Sequence, residues 1–92
     1  MSGQSLHAHH ENIGRRLKRA EGHLCSIIKM IEEERACVDI AQQLYAVEKA
    51  IAQAKKTLIQ DHIDHCLDHA LEKPGRHRGQ ALDAFKQITK YL

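Results

Sequence analysis

Residues 37–72 read CVDIAQQLYAVEKAIAQAKKTLIQDHIDHCLDHALE, with no proline or glycine among them. Within this run Ile40, Leu44, Val47, Ile51, Ala54 and Leu58 recur at steps of 4-3-4-3-4, the spacing of a coiled-coil-like seam. The stripe then continues through His62, Cys66 and either His69 or Ala70. One helix from Cys37 to Glu72 would be roughly 50 Å long at 1.5 Å per residue. Two short neighbours in a small chain cannot cover a seam of that length. The pattern predicts that this helix lies antiparallel to its copy in a second subunit.

On the N-terminal side the stripe pauses at Glu32-Glu33-Glu34-Arg35. Before the pause, Ile13, Leu17, Ala20, Leu24, Ile27, Ile28 and Ile31 recur at steps of three and four, which predicts an amphipathic helix. Gly14 and Gly22 weaken it by about 1 kcal/mol each relative to Ala, and Asn12 or a neighbour caps its start. On the C-terminal side Pro74 and Gly75 form the strong break, with Gly79 just beyond. A third helix over about Gln80 to Leu92 would carry Leu82, Phe85, Ile88, Thr89 and Leu92. Nothing alternates like a strand, and there is no repeat, low-complexity tract or phosphate-binding glycine loop. The fold class is all-α, with three helices per subunit and an antiparallel helical-bundle dimer.

The chain of 92 residues is one domain's worth, with residues 1–10 as a histidine-containing flexible tail. Hydrophobic residues at 42% and charged residues at 28% exclude disorder as the default. Aromatics are 3%, so the core must be Leu, Ile, Val and Ala. A core that small is often completed by a partner subunit. The longest charge-free stretch is far short of the roughly 18 to 20 apolar residues of a membrane span, and the first ten residues lack the apolar region of a secretory signal. Three cysteines without such a signal point to a reducing cytoplasm and to thiol or metal chemistry. The net charge of +2 is too small to identify a partner by itself.

His62 and Cys66, four positions apart, sit one turn above each other on one helical face, about 5 to 6 Å between Cβ atoms. An imidazole and a thiolate so placed can grip one soft or borderline ion. Cys37 is 25 positions from His62, roughly 37 Å along a straight helix, so it can join them only from a second subunit. The competing expectation is that Cys37 and Cys66 are small core hydrophobes and His62 a satisfied polar neighbour. Asp61, Asp64 and Asp68 with His65 and His69 offer a second, harder donor set, or a solvated helix face. His7, His9 and His10 lie in the polar tail and could supply an extra ligand, whereas Cys25 beside the first-helix stripe reads as structural. Arg15, Arg16, Lys18 and Arg19 form a compact basic cluster, to which Lys49, Lys55 and Lys56 add. Such a surface can neutralise phosphates, or it is a solvated face balanced by Glu21, Glu32, Glu33, Glu34 and Glu48. No helix-turn-helix, zinc finger or stacking aromatic set is present. A Cys/His hydrolase lacks an evident pocket or oxyanion hole; the chain is not expected to be an enzyme.

Arg16-Leu17-Lys18-Arg19-Ala20-Glu21-Gly22-His23, Ile27 to Glu33, Cys37 and Asp39, Asp61-His62 and His65-Cys66 together resemble the CsoR/RcnR family of bacterial metal-sensing repressors. The likeness covers about Arg15 to Leu71. It implies three helices per subunit, dimers that often pair into tetramers, operator DNA bound without a helix-turn-helix, and release on binding an inducer. By position, Cys37, His62 and Cys66 match the family's sensing triad.

The resemblance also narrows the inducer. A Cys-His-Cys triad is similar to the copper branch, two thiolates and an imidazole suiting three-coordinate Cu(I). The nickel and cobalt branch adds an N-terminal histidine; Ser5 stands at that position here, with His7 close by as the candidate ligand for Ni(II) or Co(II). A persulfide sensor would use Cys37 and Cys66 and need no His62. The formaldehyde branch, with a proline at position 2 and a carboxylate as third ligand, fits poorly with Ser2 and Cys66. The copper branch usually has a Tyr before the first cysteine and a Glu in the third helix; this chain has Ala36, and Gln80, Leu82 and Asp83. A family Arg on the second helix aligns with Glu48, beside Lys49. Arg15, Arg16, Lys18 and Arg19 fit the family's DNA-facing surface. The implied function is a metal-responsive, homo-oligomeric repressor.

Overall fold

A computed structural model describes residues 10–72 and 76–92, apart from the side chains of residues 66, 69–72, 76–78 and 81. The described residues contain three helices, α1 (His10–Glu32), α2 (Cys37–Glu72) and α3 (Arg76–Thr89), and no strand. They divide into two compact units, His10–Lys55 and Lys56–Leu92.

The first unit is a helical hairpin of α1 and the start of α2. Its core cluster is Ala20, Ile27 and Val47, with Ile40 packed against it. Ile27 and Val47 are only 2% and 4% exposed. Buried positions recur every seventh residue on both helices, as Ile13, Ala20 and Ile27 on α1 and as Val47 and Ala54 on α2, with half-buried Ile40 seven before Val47. One narrow row per helix faces the other. Each fully buried aliphatic side chain contributes about 1.5–3 kcal/mol, so so few of them make a thin core.

A second row lies four positions after the first and remains exposed: Leu17, Leu24 and Ile31 on α1, and Leu44 and Ile51 on α2. Four residues advance a helix by one turn plus about 40°. In an antiparallel hairpin that same offset rotates both rows toward the same side. The seam expected over Ile40, Leu44, Val47, Ile51, Ala54 and Leu58 is therefore two rows with different fates. Val47 and partly Ile40 close the hairpin and Ala54 is buried; Leu44, Ile51 and Leu58 stay exposed.

The turn between α1 and α2 explains where the first helix ends and the second begins. Glu34 N–H bonds to the Ile31 carbonyl at 3.1 Å and Arg35 N–H to the Met30 carbonyl at 3.0 Å. That is the double closure of a Schellman cap, which requires a left-handed residue at its centre. Glu34 fills that place with φ 55°, where glycine is usual. The Ala36 carbonyl then accepts the N–H groups of Asp39 and Ile40 and starts α2. Glu34→Gly should raise the melting temperature by a few degrees. It relieves about 1–2 kcal/mol of left-handed strain and gives back part of that in chain entropy. Thermal circular dichroism reads the difference; a lower melting point would show that the Glu34 side chain contributes more than its backbone costs.

In the second unit Ile59 is buried, while Ile63, Phe85 and Ile88 are half-buried. Helix α3 starts at Arg76, earlier than the apolar pattern predicted, and Gly79 lies inside it. One exposed glycine costs a helix about 1 kcal/mol, too little to stop it beside the Pro74-Gly75 break. The helix also ends short of Leu92. Thr89 Oγ1 donates to the Lys86 carbonyl at 2.8 Å, and the N–H groups of Lys90, Tyr91 and Leu92 turn to carbonyls three residues back. At the other terminus His10, assigned above to the tail, opens α1, and Asn12 sits in the first turn rather than capping it. No described helix is long and apolar enough to cross a membrane.

Candidate metal ligands and a candidate nucleic-acid face

Cys37 is the first residue of α2 and its side chain is exposed, so it does not fill the core of its own subunit. His62 lies on the same helix and is half-buried. The helix continues unbroken through residue 66, so Cys66 is one turn beyond His62 as its spacing predicted; its side chain lies outside the described residues, and so does His7. Among the described residues no three His, Cys, Asp or Glu side chains converge as a bound ion would need.

Helical register sorts the neighbouring donors. Asp61, Asp64 and Asp68 sit about 100° or more around α2 from His62 at 100° per residue, whereas Cys66 is only about 40° away. The face that carries His62 is thus one of nitrogen and sulfur, the donor chemistry of a soft or borderline ion. The carboxylates belong to another face, with Asp64 and Asp68 exposed and Asp61 half-buried. Cys25, read from the sequence as structural, is exposed on α1.

Arg15, Arg16, Lys18, Arg19 and Lys49 fall on three surfaces. Arg16 and Arg19 line a groove between α1 and α2 together with Asn12, Ala20, Ala50 and Gln53. This is the side of the hairpin opposite the exposed apolar row. One turn further along the same side, the Nε2–H of His23, in the tautomer that carries it, donates to Gln43 Oε1 at 2.6 Å. Arg15 and Lys18 lie on the back of α1, two positions from the buried Ile13 and Ala20. There Arg15 pairs with Glu11 at 3.4 Å, both largely exposed, a contact worth well under 1 kcal/mol. Lys49 lies on the back of α2, its ammonium 5.1 Å from the centre of the Tyr45 ring, a cation–π contact.

Sequence reading singled out the arginines, named Asn12 only as a helix cap, and passed over Ala50 and Gln53. A signal for them was present. Apart from the buried Ala20, each residue named on the groove side stands one position before or three after a member of the buried row: Asn12, Arg16, Arg19 and His23 on α1, and Gln43, Ala50 and Gln53 on α2. Finding it required knowing which half of the apolar stripe closes the hairpin.

Residues 9–91 match the protein family described as metal-sensitive transcriptional repressor. The chain is similar to the copper-sensing transcriptional repressor CsoR of Bacillus subtilis (strain 168), 38% identical over 82 residues that span 87% of this chain and 81% of that one. It is 35% identical to the copper-sensing transcriptional repressor RicR of Mycobacterium tuberculosis (strain ATCC 25618 / H37Rv), over 71% of this chain and 68% of that one. With the CsoR of Mycobacterium ulcerans (strain Agy99) it shares 39% identity over 83% of this chain and 63% of the other. No solved structure matches it.

Proposed function

Since the chain belongs to the metal-sensitive transcriptional repressor family, we propose that it represses in answer to copper, holding operator DNA when metal-free and releasing it when Cu(I) binds. The observation that carries this reading is the donor set on α2: an exposed Cys37 at its start, and His62 with Cys66 in register near its end. Two thiolates and one imidazole suit a soft, three-coordinate ion. The relatives named as copper-sensing support the same choice. Cys37 and His62 are too far apart along one helix to share an ion, so the site joins Cys37 of one subunit to His62 and Cys66 of another.

The apolar rows support the oligomer this requires. Leu17, Leu24, Ile31, Leu44 and Ile51 form an exposed surface on one side of the hairpin. Stacked against a second hairpin they complete a four-helix bundle, the arrangement that buries such rows; two of these dimers make the tetramer. Arg16 and Arg19 then face outward on the other side toward DNA phosphates, with Arg15, Lys18 and Lys49 as flanking charges.

Cys37, His62 and Cys66, held to one ion, lock one bundle geometry against its alternatives and carry the arginines out of register with the phosphates. Linkage requires that DNA weaken metal binding by the same factor. Nothing in this scheme calls for catalysis.

Fluorescence anisotropy on the promoter upstream of the protein's own gene, with reduced protein kept anaerobic, tests the reading. Stoichiometric Cu(I) should release the DNA. Release by Ni(II) or Co(II) instead would bring in His7 as a fourth ligand. Release only by a persulfide donor would make Cys37 and Cys66 a thiol switch, and no release by any of these would overturn metal sensing altogether.

A further inference from the structure

The groove on the polar side of the hairpin has a composition that a merely solvated surface does not require. Its lining is two arginines, two side-chain amides and two alanines, with no carboxylate among them. Arg16 and Arg19 lie one turn apart along α1; Asn12 extends that line by one further turn, and Gln53 stands across from them on α2. The floor is small. Ala20 is buried beneath it, and the exposed methyl of Ala50 keeps its α2 wall low. A volume of about 510 Å³ admits a tetrahedral anion with its waters.

Each lining group matches one feature of a phosphodiester. Guanidinium groups neutralise its charge and bond its oxygens in a fork. Amide N–H groups donate to the same oxygens without adding charge. We propose that this groove is a recessed seat for one backbone phosphate of DNA, in which Arg16 and Arg19 supply the charge, Asn12 and Gln53 supply neutral donors, and Ala50 keeps the space open. The seat rests on the DNA-binding reading above and makes it specific: the arginines act in a cavity built with α2 and not as a flat basic patch. Arg15, Lys18 and Lys49, on other surfaces, take no part in it.

The test separates charge from shape by the salt dependence of binding. Each phosphate neutralised contributes about 0.9 to the slope of log affinity against log salt. Phosphate contacts carry no sequence information, so their loss weakens operator and unrelated duplex alike. Ala50→Leu adds bulk without charge and keeps a good helix former. It should weaken both duplexes by the same factor, about tenfold or more, and lower the slope by roughly one phosphate's worth. Gln53→Ala should weaken both equally, by about threefold to tenfold, with the slope unchanged. It serves as the readout should Ala50→Leu fail to fold by circular dichroism.

Ala50→Leu or Gln53→Ala binding as tightly as the unaltered protein would overturn the seat. A loss confined to the operator would overturn it too, because the groove would then be reading bases. Inorganic phosphate at matched ionic strength should leave the unaltered protein's DNA affinity unchanged, since a free ion lacks the duplex's neighbouring contacts. Competition at millimolar phosphate would assign the groove to a free anion and overturn the DNA assignment. If the unaltered protein shows no salt-dependent affinity for either duplex, the DNA-binding reading fails first. If it binds and the variants bind equally, only the seat fails.

Discussion

Cys37→Ala should leave a protein that holds its operator and no longer lets go when copper is added. In the site proposed above, the substitution would remove one of two sulfur donors, the one contributed across the subunit interface, and leave His62 and Cys66 as a two-coordinate remnant on a single helix. Losing a group that merely supports a metal ligand costs about 10–100-fold in affinity; losing the ligand itself should cost more. Operator affinity should stay within about twofold, because Cys37 is exposed at the start of α2 and buries nothing in its own hairpin, and exposed substitutions of this kind fall within about 0.5 kcal/mol. Two titrations decide it, Cu(I) against a chelator competitor and DNA by anisotropy with and without metal. Loss of both activities would mean that Cys37 holds the assembly together rather than sensing metal. His62→Ala separates the chemistries: a metal sensor fails with it, while a persulfide switch at Cys37 and Cys66 keeps responding.

Ile51→Glu should dissociate the assembly into single chains and abolish operator binding with it. Ile51 lies in the exposed row that follows the buried one by four positions, beside Leu44 on α2 and on the same side of the hairpin as Leu17, Leu24 and Ile31. In a symmetric dimer one substitution places a carboxylate in each copy of the interface. An unpaired buried charge costs several kcal/mol, so two should weaken association by more than about a thousandfold, 1.4 kcal/mol being tenfold. Sedimentation velocity reads the mass. Far-ultraviolet circular dichroism should show reduced helicity as well, because the hairpin core of Ala20, Ile27 and Val47 is thin. Ile51→Glu and unaltered protein both sedimenting as dimers or larger would place the subunit interface on another surface, and both sedimenting as single chains would overturn the proposed dimer.

Much of this architecture was legible in the residues. The uninterrupted run after Cys37, the acidic pause before it and the Pro74-Gly75 break located three helices because apolar spacing and chain-breaking chemistry are local properties. The i, i+4 relation of His62 to Cys66 was equally local: any helix through both puts them on adjacent turns. Where the reading missed, the cause lay in the ends and in the partners. Gly79 looked like part of a break and lies within α3, since one glycine's cost is smaller than the gain from continuing the helix. His10 looked like tail and opens α1. Glu34 carried no sign of its left-handed backbone, which the double cap at the end of α1 imposes on whatever residue stands there.

The sequence alone determined the helices, their apolar stripes and the family, all of which follow from residue type and spacing along the chain. Only the tertiary structure decided which half of each stripe closes the hairpin and which half is left exposed. That choice turns on how α1 and α2 meet side by side, a relation that no periodicity along one helix contains. It also decided that Arg16 and Arg19 share a groove with Asn12 and Gln53, while Arg15, Lys18 and Lys49, their neighbours in charge and sequence, face elsewhere. Residues adjacent along a helix lie about 100° apart around it, so a basic cluster on paper becomes separate surfaces once one face of the helix is committed to a partner.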